Sequence, residues 1–216
     1  MSAKERSINR KDLTQKVIGG KKYYCEKDNI GEGRMGKVTL AYDTNDNVYA
    51  IKKLKDPENE SVFLESGKAM THLSNGGLKY LVNTVYAGKE NNGDCYIVMQ
   101  AMKQNLAQVI EGFTKKKKLT KKELSLAYTY SYKLFQSLDE LHQQTFNKKK
   151  VTHNDFIPSN VLVSGNELKL TDLLVIPKGM NKDDFEASMA KSSILNLAKE
   201  GAQVNLSHLG YLTRES

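Results

Sequence analysis

At 216 residues, with 39% apolar and 27% charged side chains, the chain is long enough for one or two domains around a packed core. It has no apolar run near the roughly 18 residues of a membrane span, and its polar start, MSAKERSINRKDLTQKV, lacks the apolar centre of a Sec-type signal. Two cysteines, Cys25 and Cys95, are too few for a disulfide framework or a zinc cluster, which favours a reducing, cytoplasmic setting. The formal charge of +8 is concentrated in Lys115 to Lys118 with Lys121 and Lys122, and in Lys148 to Lys150. No aromatic residues alternate with these lysines, so single-stranded nucleic acid is not expected as a partner. They read as solvated turns at either end of a helix, or else as a face for an acidic protein or anionic lipid, the lipid through Lys115 to Lys118.

In chain order, residues 1–21 show little periodicity and read as a leader with at most a short helix. From Tyr23 the texture is strand-like. YYCEKDNI, KVTLAYD and NVYAIKKL mix β-branched and aromatic residues, and DTNDN, residues 43–47, is a hairpin turn by composition. DPENESVFLESGKAMTHLS opens with Asp-Pro and early acids, then places Phe63, Leu64, Ala69, Met70 and Leu73 on one helical face. LVNTVYAG and CYIVMQAM complete an order of βββαββ. Beyond Met102 come a short helix, QNLAQVIEGF, and a long one, KKELSLAYTYSYKLFQSLDELHQQ, with Leu124, Tyr128, Leu134, Leu138 and Leu141 at near-helical spacing. A loop and the hairpin NVLVSGNELKLTD follow. Residues 177–216 read as loop plus a modest helix around SSILNLAKEGAQVNL. The expected boundaries are a leader at 1–21, a strand-rich lobe at 22–102 and a helix-rich lobe at 103–216.

Five elements suggest phosphate chemistry. GEGRMGKV carries glycines at 31, 33 and 36 between two strands, where a hairpin can pass close over an anion and offer its N–H groups. A dinucleotide fold would continue into a helix, whereas KVTLAYD continues as strand. Lys52 lies on the apolar strand VYAIKKL, sixteen residues after Gly36; it either snorkels from an edge or aims its ammonium into a cleft. Glu65, thirteen residues further on the predicted helix, is placed to pair with Lys52, with Glu60 the competing acid. In VTHNDFIPSNVLV, Asp155 can take a proton from a hydroxyl and Asn160 can offer an amide oxygen to Mg²⁺. Asp172, seventeen residues after Asp155 at a strand end, can be a second metal ligand. Each aspartate alone is as readily a turn cap.

This ordered set resembles the protein kinases. The resemblance implies an α+β bilobal fold with a five-stranded antiparallel N-lobe plus helix and a truncated, mainly helical C-lobe. It implies an ATP- and Mg²⁺-dependent Ser/Thr kinase with Asp155 as catalytic base. Lys52, held by Glu65, would bind the phosphates beneath Gly31, Gly33 and Gly36, and Asn160 with Asp172 would hold the metal. Val38, Ala50 and Leu162 correspond to residues that sandwich adenine. Met99 corresponds to the gatekeeper, and Gln100 to Met102 to the hinge.

Four departures stand out. Asn154 replaces the arginine before the catalytic aspartate, and Ile157 replaces the lysine two residues after it. Asp172-Leu173-Leu174 replaces Asp-Phe-Gly, and no APE-like segment follows. So reduced a scheme resembles the minimal kinases that bacteria inject into host cells, of the HopBF, OspG and NleH types. That resemblance implies a monomer that leaves the bacterium for the host cytosol and phosphorylates a host protein, a heat-shock chaperone or part of the ubiquitin machinery. The competing readings are a pseudokinase serving as a nucleotide-dependent binding module and a small-molecule phosphotransferase.

Overall fold

The computed structural model describes residues 10–33 and 35–175. Six antiparallel strands form one sheet in the order β1-β2-β3-β4-β6-β5: β1 Thr14–Ile18, β2 Lys21–Glu32, β3 Gly36–Tyr42, β4 Val48–Leu54, β5 Thr84–Lys89 and β6 Cys95–Gln100. Helix α1, Glu60–Asn75, connects β4 to β5. The sheet has one strand more than the sequence suggests, because residues 14–18 of the expected leader pair with residues 21–25 of β2. Gly19 and Gly20, both left-handed at φ 57° and 74°, make the two-residue turn. Such a turn matches strand twist and needs residues without a Cβ penalty. The Gly-Gly dipeptide was thus a hairpin signal rather than the end of a leader.

The sheet curls until its two edges meet. A Cβ on Gly19 would fall 2.4 Å from the Tyr86 ring of β5, and the Gly19 amide donates to the Glu90 carboxylate at 2.9 Å. Tyr86 Oη donates to the same carboxylate at 2.6 Å, which together with burial raises the phenol to about 12. Ile18, Tyr23, Cys25, Ala41, Ile51, Tyr96 and Val98 fill the concave side. Both cysteines are buried free thiols. On the opposite face α1 lies so close that a Gly67 Cβ would sit 2.6 Å from Ala87 and 2.9 Å from Ile97.

Below the sheet, β7 (Gln104–Asn105) leads into α2, Leu106–Thr114, and then α3, Lys121–His142. Both helices begin with a complete capping box, from Asn105 with Gln108 and from Thr120 with Glu123. Each box satisfies two otherwise orphaned amides. In the lysine-rich connection, Lys115 pairs with Glu111 at 2.6 Å and Lys116 pairs with Glu123. A small hairpin, β8 (Thr145–Phe146) and β9 (Lys149–Lys150), turns through Asn147 and Lys148, both left-handed. Strands β10 (Val161–Ser164) and β11 (Glu167–Leu170) form the expected second hairpin, with β7 alongside β10.

Helix α3 departs from a single apolar face. Tyr130, Ser137 and Leu141 are buried, with Leu134 and Leu138 half-buried beside them, whereas Leu124 and Tyr128 point the other way and are exposed. The helix expected near residue 194 lies outside the described residues.

Candidate active site

Strand register places the upper half of the site. Val38 pairs with Lys52 and Ala50 pairs with Met99, so these four share one face of the sheet. Lys53 projects from the other face to Asp94 at 2.8 Å. Lys52 is 4% exposed, and its Nζ lies 2.6 Å from Asp172 Oδ2. An ammonium this deep needs a charged partner, because desolvating it alone costs several kcal/mol.

The structure corrects the partner expected for Lys52. Glu65 is half-buried on α1, and its Oε1 accepts from Asn147 Nδ2 at 2.8 Å. The β8–β9 hairpin reaches α1, where the His72 and Phe146 rings lie 5.7 Å apart, and presents Asn147 at its turn. Glu60 is engaged by Lys89 at 2.9 Å. Neither acid touches Lys52. Asn147 therefore belongs among the site's neighbours, and an Asn-Lys turn dipeptide was the only sequence trace of it.

The glycine turn is closed by the Gly33 amide on the Gly36 carbonyl at 2.9 Å. Its three glycines differ. A Cβ on Gly36 would meet the Lys53 carbonyl oxygen at 2.4 Å, so backbone packing requires glycine there. Cβ atoms on Gly31 and Gly33 would have nothing within 4 Å, so both positions face open space. Met35, between Gly33 and Gly36, is buried.

The lower half is built by the loop before β10 and the segment after β11. Pro158 starts a short 3-10 turn ending at Asn160, in which the Asn160 amide donates to the Ile157 carbonyl. Asn160 Nδ2 donates to Asp155 Oδ2 at 2.7 Å and to the Asp155 carbonyl at 2.9 Å. With its nitrogen committed twice to Asp155, the amide leaves its oxygen as the group to meet a cation. The Thr171 amide donates to the Asn160 carbonyl at 3.0 Å, which fixes the next residue, Asp172, beside the loop. Asp172 itself is left-handed at φ 56°. Thr171 Oγ1 approaches Met99 Sδ at 3.5 Å, which joins the gatekeeper position to the aspartate's segment.

The departures from the kinase pattern have structural counterparts. Asn154, left-handed at φ 55°, donates from Nδ2 to the Leu174 carbonyl at 2.7 Å, and Leu174 N donates to the His153 carbonyl at 3.1 Å. Leu173 and Leu174 are buried, and Val175 N donates to Ser66 Oγ on α1 at 3.1 Å. The segment after Asp172 is thus tied to both the loop and the helix. Ile157 is exposed. His153 is buried, neither ring nitrogen has a partner among the described residues, and burial pushes its pKa down.

In the segment expected to be the hinge, Gln100 N donates to the Asn83 carbonyl at 2.8 Å and Met102 is half-buried. Leu162 lies on β10 opposite Asn105.

The donor set fits a hard cation poorly by itself and well with help. Among the described residues no cluster of three or more His, Cys, Asp or Glu would hold a metal. One carboxylate and one amide oxygen suit Mg²⁺, which completes its shell with phosphate oxygens and water.

A curled antiparallel sheet with one packed helix stands above a loop that carries Asp155 and Asn160, with a buried lysine against Asp172; this is the architecture of a phosphotransferase. The family model for the protein kinase domain matches residues 24–190, and the chain belongs to that family. No curated relative matches the chain.

Proposed function

We propose that this kinase transfers the γ-phosphoryl group of ATP to a serine or threonine hydroxyl of a host protein, as a secreted bacterial effector. A chaperone is the favoured target class, on the strength of the near-orthodox loop HNDFIPSN. The observation that carries the phosphoryl-transfer reading is one hydrogen-bonded line through three segments. It runs from Lys52 to Asp172, across the Thr171–Asn160 backbone contact, and from Asn160 to Asp155.

Phosphoryl transfer demands positioning and charge stabilisation more than covalent chemistry from the protein. The open side of Gly31 and Gly33 leaves room for the phosphates, and Lys52 supplies positive charge at the end of β4. Asp155 orients the acceptor hydroxyl and takes its proton as the new O–P bond forms and ADP departs. Asn160 fixes that carboxylate by its amide nitrogen and, with Asp172, holds Mg²⁺ by oxygen. Bound there, Mg²⁺ neutralises charge on the phosphates. Lys52 must leave Asp172 at least in part for both to act, and Glu65, held by Asn147 in this structure, is the acid on α1 that would receive it.

Radiolabelled ATP with eukaryotic lysate tests the reading. The wild-type chain should label a discrete protein on serine or threonine. Asp155→Ala should lower incorporation by about 10²-fold or more with the fold unchanged. Equal labelling by the variant would reject Asp155 as the base. Label confined to tyrosine would reject the proposed acceptor class.

A further inference from the structure

Helix α3 is apolar on two faces, and the described part of the chain covers only one. Leu124, Tyr128, Tyr132 and Phe135 are 45%, 77%, 65% and 66% exposed. At 100° per residue they fall within one narrow stripe. Lys121 and Asp139 continue that stripe at its two ends, and both are exposed. A surface helix ordinarily turns polar residues to solvent, so four large apolar side chains in line mark a contact surface.

The stripe is complementary to itself when reversed. Lys121 and Asp139 lie nine residues either side of Tyr130, Tyr128 and Tyr132 lie two either side, and Leu124 and Phe135 lie six before and five after. A two-fold axis at the level of Tyr130 therefore sets each lysine against the other copy's aspartate, each Tyr128 against a Tyr132, and each Leu124 against a Phe135. In a two-fold interface residue i meets j while j meets i, and this stripe satisfies that condition in both charge and size. Asp139 keeps one oxygen for Gln143 at 3.1 Å and has a second to offer.

We propose that this face is a homodimer interface in which two α3 helices pack antiparallel about Tyr130. The nineteen residues from Lys121 to Asp139 span about 27 Å at about 1.5 Å rise per residue. One helix pair of that length buries roughly 1,000 Å² in total, at the low end for specific association. The dimer is accordingly weak and concentration-dependent. The stripe lies on the helix face turned away from Tyr130, whose hydroxyl donates to the Gly165 carbonyl of the β10–β11 hairpin.

Sedimentation of the full chain from about 1 to 300 μM tests it, with a shift from monomer to dimer mass expected within that range. Asp139→Lys opposes like charges at both ends and should weaken association roughly three- to tenfold, and Lys121→Asp added to it should restore association. Register is tested separately by oxidation. A mixture of Tyr128→Cys and Tyr132→Cys chains should form disulfide-linked dimers much faster than either variant alone. All these positions are exposed, so misfolding does not confound the result. A monomer mass throughout, or cross-linking that ignores the pairing, overturns the proposal.

Discussion

Replacing Asp172 by asparagine tests the Lys52–Asp172 pair as a structural element, independently of any nucleotide. Asparagine is the right probe because the position is left-handed at φ 56°, which asparagine tolerates and alanine does not. The substitution removes one charge and leaves an oxygen that can still accept from Lys52. Breaking a buried ion pair costs about 3–5 kcal/mol. Here the side chains of Lys52 and Asp172 are 5% and 26% exposed, so the acid is only partly desolvated and the neutral hydrogen bond survives. We therefore expect a loss of about 2 kcal/mol, or about 4–8 °C in Tm for a chain of this size. Lys52→Met removes the buried ammonium and leaves an acid that water can reach, so it should cost less. Combined with Asp172→Asn, it should recover at least about 1 kcal/mol of the summed losses. Urea unfolding of the four proteins gives the coupling directly. A change within about 0.5 kcal/mol for Asp172→Asn, or strict additivity in the cycle, would refute the reasoning.

Four further outcomes follow from the structure. Gly36→Ala should lose about 1–3 kcal/mol in chemical denaturation through its clash with the Lys53 carbonyl. Gly31→Ala and Gly33→Ala should leave stability within about 0.5 kcal/mol and weaken nucleotide binding by calorimetry. Asn147→Gly keeps the left-handed turn and frees Glu65; if Glu65 serves Lys52 in turnover, the initial rate should rise about two- to fivefold, and a fall would reject that role. Burial depresses the His153 pKa, so both states are neutral above about pH 6.5 and the folded state is favoured there. Below that, the unfolded chain takes up a proton that the fold resists, and stability falls until the depressed value is reached. Tm measured from pH 7.5 to 5.5 should drop more steeply than in His153→Leu.

The strands and helices that carry strong periodicity were legible: β3, β4, α1, β6 and α3 all lie where alternation or helical spacing puts them. Strand β1 was missed because TQKVI is short and mostly exposed; only the Gly-Gly turn and a single buried residue, Ile18, specify it. Near-helical spacing located α3 but could not say which of its apolar residues look inward, and Leu124 and Tyr128 do not. At the site, residue types in order pointed to Lys52, Asp155, Asn160 and Asp172, and the fold brings these four together. The Lys52–Glu65 pairing was not decidable from sequence. It depends on where a six-residue hairpin puts Asn147, and on a left-handed Asp172 that no local pattern announces. Asn154 looked like a loss, yet its side chain reaches Leu174 at 2.7 Å.

The seam between Gly19 and Tyr86 ties into the sheet a strand that lies upstream of the family match. The family match starts at Tyr24, inside β2, so a fragment trimmed to it would discard β1 and the Gly-Gly turn. Ile18 and Tyr23 would leave the interior of the sheet, and the Glu90 carboxylate would lose the Gly19 amide. The start of β2 at Tyr24 and Cys25 would then lose its pairing with β1 and become a raw hydrogen-bonding border, an invitation to aggregate. For this kinase the described sheet starts at Thr14, ten residues upstream of where its family match does.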